Sequence, residues 1–141
     1  MIQAAVLGSP ISHSLSPVIH QVAYECLEIS AKYTAVEVKS GDLTKYLDST
    51  PPELNGFSLT MPLKEEVLQL GFAASELALK SQSANTLVKR DGSWSATSTD
   101  GTGFLQALAH REFTDFSSVL ILGAGGTARA IAASLDGIAD S

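Results

Sequence analysis

Val119-Leu-Ile-Leu122, running into Gly123-Ala124-Gly125-Gly126-Thr127-Ala128, is the stretch on which the fold reading turns. Four consecutive apolar residues read as a buried strand, and the residues after them match G-x-G-x-x-G/A at the start of a helix. In that pattern the first glycine allows the tight turn and the second lets the backbone approach a pyrophosphate. Ala128 falls where a small residue permits close helix–strand packing, and the helix's first amides face the phosphates. A glycine-rich turn alone also serves as a plain structural turn; the strand–turn–helix setting is what favours a cofactor site. The residue that separates NAD from NADP lies roughly 20 positions further on, past Ser141, so the pattern leaves that choice open.

Upstream, strands and helices alternate. Ile2–Leu7 is an apolar run ended by Gly8-Ser9-Pro10, which suits a buried parallel strand. Ser16-Pro17 predicts a helix start, with Ser16 as cap and Pro17 in the first turn, and the spacing of Val18, Ile19, Val22, Cys26 and Leu27 carries the helix to about Glu28. Tyr33–Val38 reads as a strand, Asp42–Leu47 as a short helix and Leu54–Leu59 as a third strand. Pro62 opens another helix with Leu63, Val67 and Leu70 on one face and Glu65-Glu66 in its first turn. Ala84–Lys89 and Ser93–Thr97 flank Arg90-Asp91-Gly92 as a hairpin, and a helix follows over Thr102–His110.

This order predicts an α/β fold with a mostly parallel sheet flanked by helices. Residues 1–101 form one unit, 102–116 a bridging helix and linker, and 117–141 the first strand, turn and helix of an incomplete dinucleotide-binding unit. A domain of that kind needs further strands beside its first, so the sequence is expected to be a fragment of a longer enzyme and inactive by itself; a partner chain supplying the missing half is the alternative.

Composition narrows the partners. Across 141 residues there are 9 Lys plus Arg against 15 Asp plus Glu, a net charge of −6. No basic stripe is present, so nucleic acid is not expected. No apolar run is long enough to span a membrane. The single cysteine, Cys26, excludes an internal disulfide and fits a reducing, cytoplasmic setting; its place on the helix's apolar face predicts a buried, inert thiol. His13 and His20 lack the acidic or thiol neighbours of a metal site, so no metal is expected.

Several polar residues stand where strands end, which is where α/β proteins bind ligands. Ser12, Ser14 and Ser16 follow the first strand and can orient a carboxylate or polyol, or simply satisfy local backbone. Lys64 falls in Ser58-Leu59-Thr60-Met61-Pro62-Leu63-Lys64, in the first turn of a helix where Glu is preferred over a cation; it suits proton transfer, or is a solvated surface lysine. Asp100, after the hairpin, can hold that ammonium or cap the next helix. Asn85, in an apolar strand, must satisfy backbone or point at a ligand.

Taken in order, Gly8-x-Pro10 with His13-Ser-x-Ser-Pro17, Thr60-Met-Pro-x-Lys64, Ala84-Asn-Thr-Leu87, Thr99-Asp-Gly101 and Gly123-Ala-Gly-Gly-Thr-Ala-Arg-Ala130 resemble the shikimate dehydrogenase family. The resemblance implies a substrate domain, a Rossmann-like NADP domain (NAD not excluded) and a site in the cleft between them. It implies that Ser14 and Ser16 bind the substrate carboxylate and that Thr60, Lys64, Asn85 and Asp100 contact the ring hydroxyls. Lys64 and Asp100 are the implied catalytic pair, and Gly123 to Ala128 the implied cofactor turn. The implied reaction is reversible reduction of 3-dehydroshikimate to shikimate, in aromatic amino-acid (chorismate) biosynthesis. The chain departs from the family at Ser58 and Ser98, where Asn is usual; Ser58 is still expected to reach substrate. A quinate/shikimate dehydrogenase shares these motifs, and a non-catalytic shikimate-binding module is a rival of another class.

Overall fold

The computed structural model describes residues 1–113, 115, 118–136 and 138. The first apolar segment forms β1 (Ile2–Gly8), whose Ala5, Val6 and Leu7 are buried. It is flanked by β2 (Ala31–Glu37) and β3 (Leu54–Leu59), both parallel to it. The hairpin β5 (Thr86–Arg90) and β6 (Ser93–Thr97) adds antiparallel to β3, and the two-residue β4 (Ala73–Ala74) closes the far edge parallel to β6. The order is β2-β1-β3-β5-β6-β4, so the sheet is mixed, with parallel pairs among β1 to β3 and again between β6 and β4.

The helices are α1 (Ser16–Cys26), α2 (Leu43–Asp48), α3 (Leu63–Glu66, continued by a 3-10 turn over Val67–Leu70), α4 (Glu76–Ser81), α5 (Asp100–His110) and α6 (Gly126–Leu135). One face of the sheet carries the main core, where Ala5, Leu7, Phe57, Leu59 and Leu87 meet Leu43, Leu47, Leu63, Val67 and Ala78 from α2 to α4. The other face holds a smaller cluster of Val6, Ile11 and Tyr33, packed against Ala4 and Tyr24.

Several expectations are corrected. Helix α1 touches the sheet along its His20–Tyr24 row, through Tyr33, so the periodic Val18, Ile19 and Val22 turn outward and Cys26 is exposed rather than buried. Ser16 does not cap α1; the capping position is Leu15, with no side-chain cap, and Ser14 Oγ instead takes the Ser16 amide at 3.3 Å. Val119–Leu122 forms no strand: Leu120 and Leu122 are 85 % and 89 % exposed, as befits an apolar segment with no neighbouring strand to share its hydrogen bonds. Helix α5 begins two residues earlier than read from sequence, which puts Asp100 in its first turn. Part of the predicted linker, including Thr114, Phe116 and Ser117, lies outside the described residues.

Candidate functional site

Strand β3 delivers the first component. Beyond Leu59 the chain stays attached to the sheet through Thr60 N to Leu7 O, turns through Leu63 N to Thr60 O, and enters α3 with Lys64 in second place. Lys64 Nζ donates to Asp100 Oδ2 at 2.5 Å, with both side chains about four-fifths buried. The second carboxylate oxygen of Asp100 accepts from Asn85 Nδ2 at 2.6 Å, while Asn85 Oδ1 accepts from Thr99 N at 2.9 Å. Asn85 thus ties the end of the hairpin to the start of α5 and holds Asp100 in line with Lys64. A charge-assisted contact of this length fixes the ammonium while leaving it further donors.

One of those donors points toward the glycine-rich turn, with Lys64 Nζ 3.3 Å from Thr127 Oγ1. A cavity of about 230 Å³ lies between Thr60, Met61 and Lys64 on one side and Gly125, Gly126 and Thr127 on the other. The glycines divide the work. Gly123 has φ +124°, in the range that disfavours side chains, and neither it nor Gly125 has an atom within 4 Å of where a Cβ would sit. Gly126 is the opposite case, because a Cβ there would meet Ser83 Oγ at 2.5 Å. Gly101 of α5 is packed closer still against α6, where an added Cβ would collide with the Ser134 side chain and come within 2.5 Å of the Ala130 carbonyl. With open space beside two glycines and no acidic residue in the first turn of α6, the turn fits an anionic group such as a pyrophosphate.

A hydroxyl-bearing wall completes the site. Ser58 on β3 is paired with Thr86 on β5, and Thr86 with Thr97 on β6, so the three side chains share one sheet face. Tyr33 Oη donates to Ser58 Oγ at 2.6 Å across β1. Burial pushes the Tyr33 phenol above its usual range, and the bond to Ser58 works in the opposite direction. His20 stacks on the Tyr33 ring, centroids 3.8 Å apart, and its Nδ1 lies 2.8 Å from Ser16 O. Ser14 and Ser16 stand at the β1 end of this wall, and Gly8 beside them packs against the Thr60 methyl. Among the described residues no hydrogen bond joins Ser14 or Ser16 to Lys64 or Asp100. Ser98 is buried with its hydroxyl unpartnered, as is that of Ser83.

Sequence reading missed Tyr33, His20 and Arg129 as neighbours of the site; Thr127 was foreseen as part of the glycine-rich turn, though not as a partner of Lys64. Arg129 Nη2 lies 2.5 Å from Glu65 Oε1 while Nε and Nη1 donate to Ser81 O and Ala124 O, fastening α6 beside Lys64. Its only sequence signal is adjacency to the glycine turn. No group of three His, Cys, Asp or Glu among the described residues suits a metal ion, and no helix among them is long and apolar enough to cross a membrane.

Comparison with known proteins identifies the family and the fold. The family described as "Shikimate dehydrogenase substrate binding domain" matches residues 6–87. The shikimate dehydrogenase (NADP(+)) of Staphylococcus aureus strain JH9 is 39 % identical over 132 residues, covering 91 % of this chain and 48 % of that protein. The chain thus spans about half the length of the curated relatives it matches. Shikimate 5-dehydrogenase from Thermus thermophilus, solved with NADP(H) and shikimate, superposes with a TM-score of 0.91 at 36 % identity, over 97 % of this chain and 52 % of that one. The 5-ketofructose reductase of Gluconobacter sp. strain CHM43 is similar too, with a TM-score of 0.86 at 30 % identity over 95 % of this chain and 49 % of its own.

Proposed function

The chain belongs to the shikimate dehydrogenase family; from that membership we propose that it carries the substrate site and the first cofactor-binding helix of an NADP-dependent enzyme interconverting 3-dehydroshikimate and shikimate. The observation that carries this reading is Lys64, held by Asp100 at 2.5 Å, on the wall of a cavity whose opposite wall is the glycine-rich turn. In this reading Ser14 and Ser16 take the ring carboxylate, and Ser58, Thr60 and Asn85 take ring hydroxyls. The backbone of Gly123 to Ala128 holds the dinucleotide, which when bound supplies or accepts the hydride at the ring carbon. Lys64 gives a proton to the carbonyl oxygen during reduction and takes it from the hydroxyl during oxidation. Asp100 keeps the ammonium aimed, and Asn85 keeps Asp100 in place. The enzyme so described works in the cytoplasm, in the route to chorismate and the aromatic amino acids.

Residues 1–141 by themselves are expected to bind shikimate weakly and to turn nothing over, since among the described residues no strand lies beside Val119–Leu122 on which to build a cofactor sheet. Titrating shikimate into the protein, followed by amide shifts at Lys64, Asn85 and Asp100, tests the substrate site. Shifts elsewhere, or none, refute it, and oxidation of shikimate by this chain with NADP⁺ refutes the expected inactivity. A second reading, acceptance of quinate as well as shikimate, draws on Ser58, whose side chain is shorter than the family's usual Asn and leaves more room beside the ring. Equal affinity for the two acids favours it. A binding module without chemistry would have no use for the Lys64–Asp100 pair, which weighs against that rival.

A further inference from the structure

Tyr33 is on β2 and Ser58 on β3, with β1 between them, so the two backbones are two strand spacings apart, about 9.5 Å. The phenol bridges that gap because Ala4, its partner on β1, is small, and Gly56 beside it adds no side chain. Stacking against His20 fixes the plane of the ring, and His20 is itself held by the Ser16 carbonyl, which must accept from a protonated Nδ1. The result is a rigid shelf running from Ser16 to Ser58, the two ends of the proposed substrate site.

The direction of the Tyr33–Ser58 bond follows from chemistry. A phenol is the more acidic and the less basic of the two hydroxyls, so Tyr33 is the donor and Ser58 the acceptor. A serine hydroxyl has one proton and two lone pairs. With one lone pair taken by Tyr33, Ser58 keeps its proton for another acceptor, and among the described residues it donates to none. A serine without the phenol would be free to rotate and could present either its proton or a lone pair.

Resting on the function proposed above, we infer that Tyr33 is a positioning residue for substrate: its hydrogen bond turns Ser58 into a fixed donor toward an oxygen of the bound polyhydroxylated acid. This gives the short serine the directionality that a longer amide side chain has by itself. A merely structural pair, in which Ser58 satisfies a buried phenol, would change stability and leave affinity alone.

Shikimate binding to the 141-residue protein and to Tyr33→Phe, Ser58→Ala, Ser58→Asn and the double variants, with thermal melting in parallel, separates the two. Tyr33→Phe is expected to weaken binding about three- to tenfold, the worth of one oriented hydrogen bond. In the Ser58→Ala and Ser58→Asn backgrounds the same change should cost less than about twofold, because the donor it orients is gone or needs no orienting. Affinity unchanged by Tyr33→Phe, or lowered by the same factor in all three backgrounds, overturns the inference and leaves the function standing. Failure of the unsubstituted protein to bind shikimate overturns the proposed function and the inference with it.

Discussion

Lys64 and Asp100 are 36 positions apart in sequence and 2.5 Å apart in space, joined between the end of β3 and the start of α5. Two separate strand–helix junctions have to be placed correctly for that contact, and Asn85 secures the second by occupying the other carboxylate oxygen. Lys64, so constrained, lines the cavity beside the glycine-rich turn, which suits the proton transfer proposed for it.

The first prediction concerns that pair. Placed ahead of the cofactor-binding half of the Staphylococcus aureus relative, these residues are expected to form an active chimera. Lys64→Ala should then lower kcat about 10²–10⁴-fold, the usual contribution of a positioned acid–base group. The Kd for shikimate should change by no more than about threefold, within the range of one hydrogen bond. Steady-state rates beside a binding titration check this, and near-normal kcat in the variant would remove Lys64 from the chemistry.

The glycines of the turn offer a second, in the form of a contrast. A Cβ at Gly126 collides with Ser83, whose Oγ and Cβ would lie 2.5 and 3.3 Å away. Gly126→Ala should therefore cost about 1–3 kcal/mol, the usual range for overpacking. Gly125 has extended backbone, φ −71° and ψ 174°, and open space where its Cβ would go. Gly125→Ala should leave stability within about 0.5 kcal/mol while raising the chimera's KM for NADP⁺, since the methyl group fills space that a pyrophosphate would use. Urea unfolding of both variants decides the first half, and equal destabilisation would show that Ser83 does not set the fit.

How far the sequence could foresee this follows from the range of the forces involved. Apolar runs announced β1 and β3, and turn residues announced the β5–β6 hairpin, because those signals are local. Helix α4 and the two-residue β4 escaped notice: six and two residues are too short to carry a period. The helical spacing in α1 was real, but only packing could tell that it faces outward and that His20 and Tyr24 face in. Lys64, Asp100 and Asn85 were legible through their motifs. The Lys64–Asp100 contact was among the readings open for Asp100, but the bonds that Asn85 makes to Asp100 and Thr99 were not foreseen, since they depend on how two loops meet. Tyr33 was invisible for the same reason, a core aromatic until its hydroxyl is seen to land on Ser58.

Arg129 carries the third prediction. Its guanidinium reaches Ser81 O, Ala124 O, Gln82 O and Glu65 Oε1, linking the turn before α6 to the segment behind Lys64. Glu65 is 58 % exposed, so the ion pair itself is worth little, and the carbonyl contacts dominate. Arg129→Ala should speed amide exchange in α6 about 10- to 100-fold, matching the loss of one or two charged hydrogen bonds, while exchange in β1 and β3 stays unchanged. Lysine cannot reproduce the fork, so Arg129→Lys should recover less than half of the protection. Unaltered exchange in α6 after Arg129→Ala would mean that its docking rests on Ala130, Leu135 and the two close-packed glycines alone.

The last prediction concerns alkaline pH and isolates Tyr33. Its pKa in the folded protein is raised above the ordinary 10.0 by burial. Below that value the phenol is neutral in both folded and unfolded chains, and its contribution to stability is fully present. As pH rises past it, the unfolded chain releases the proton while the folded chain retains it, so the native state binds more protons and stability falls with pH. Tyr46 is shifted in the same direction by its own burial, but that effect persists when Tyr33 is replaced. The melting temperature of Tyr33→Phe should therefore start below that of the unsubstituted protein and fall less steeply between about pH 9 and about pH 11. Parallel slopes would mean that the phenolate is accommodated in the fold, and that burial on the α1 face of the sheet is too loose to hold the hydroxyl as a donor.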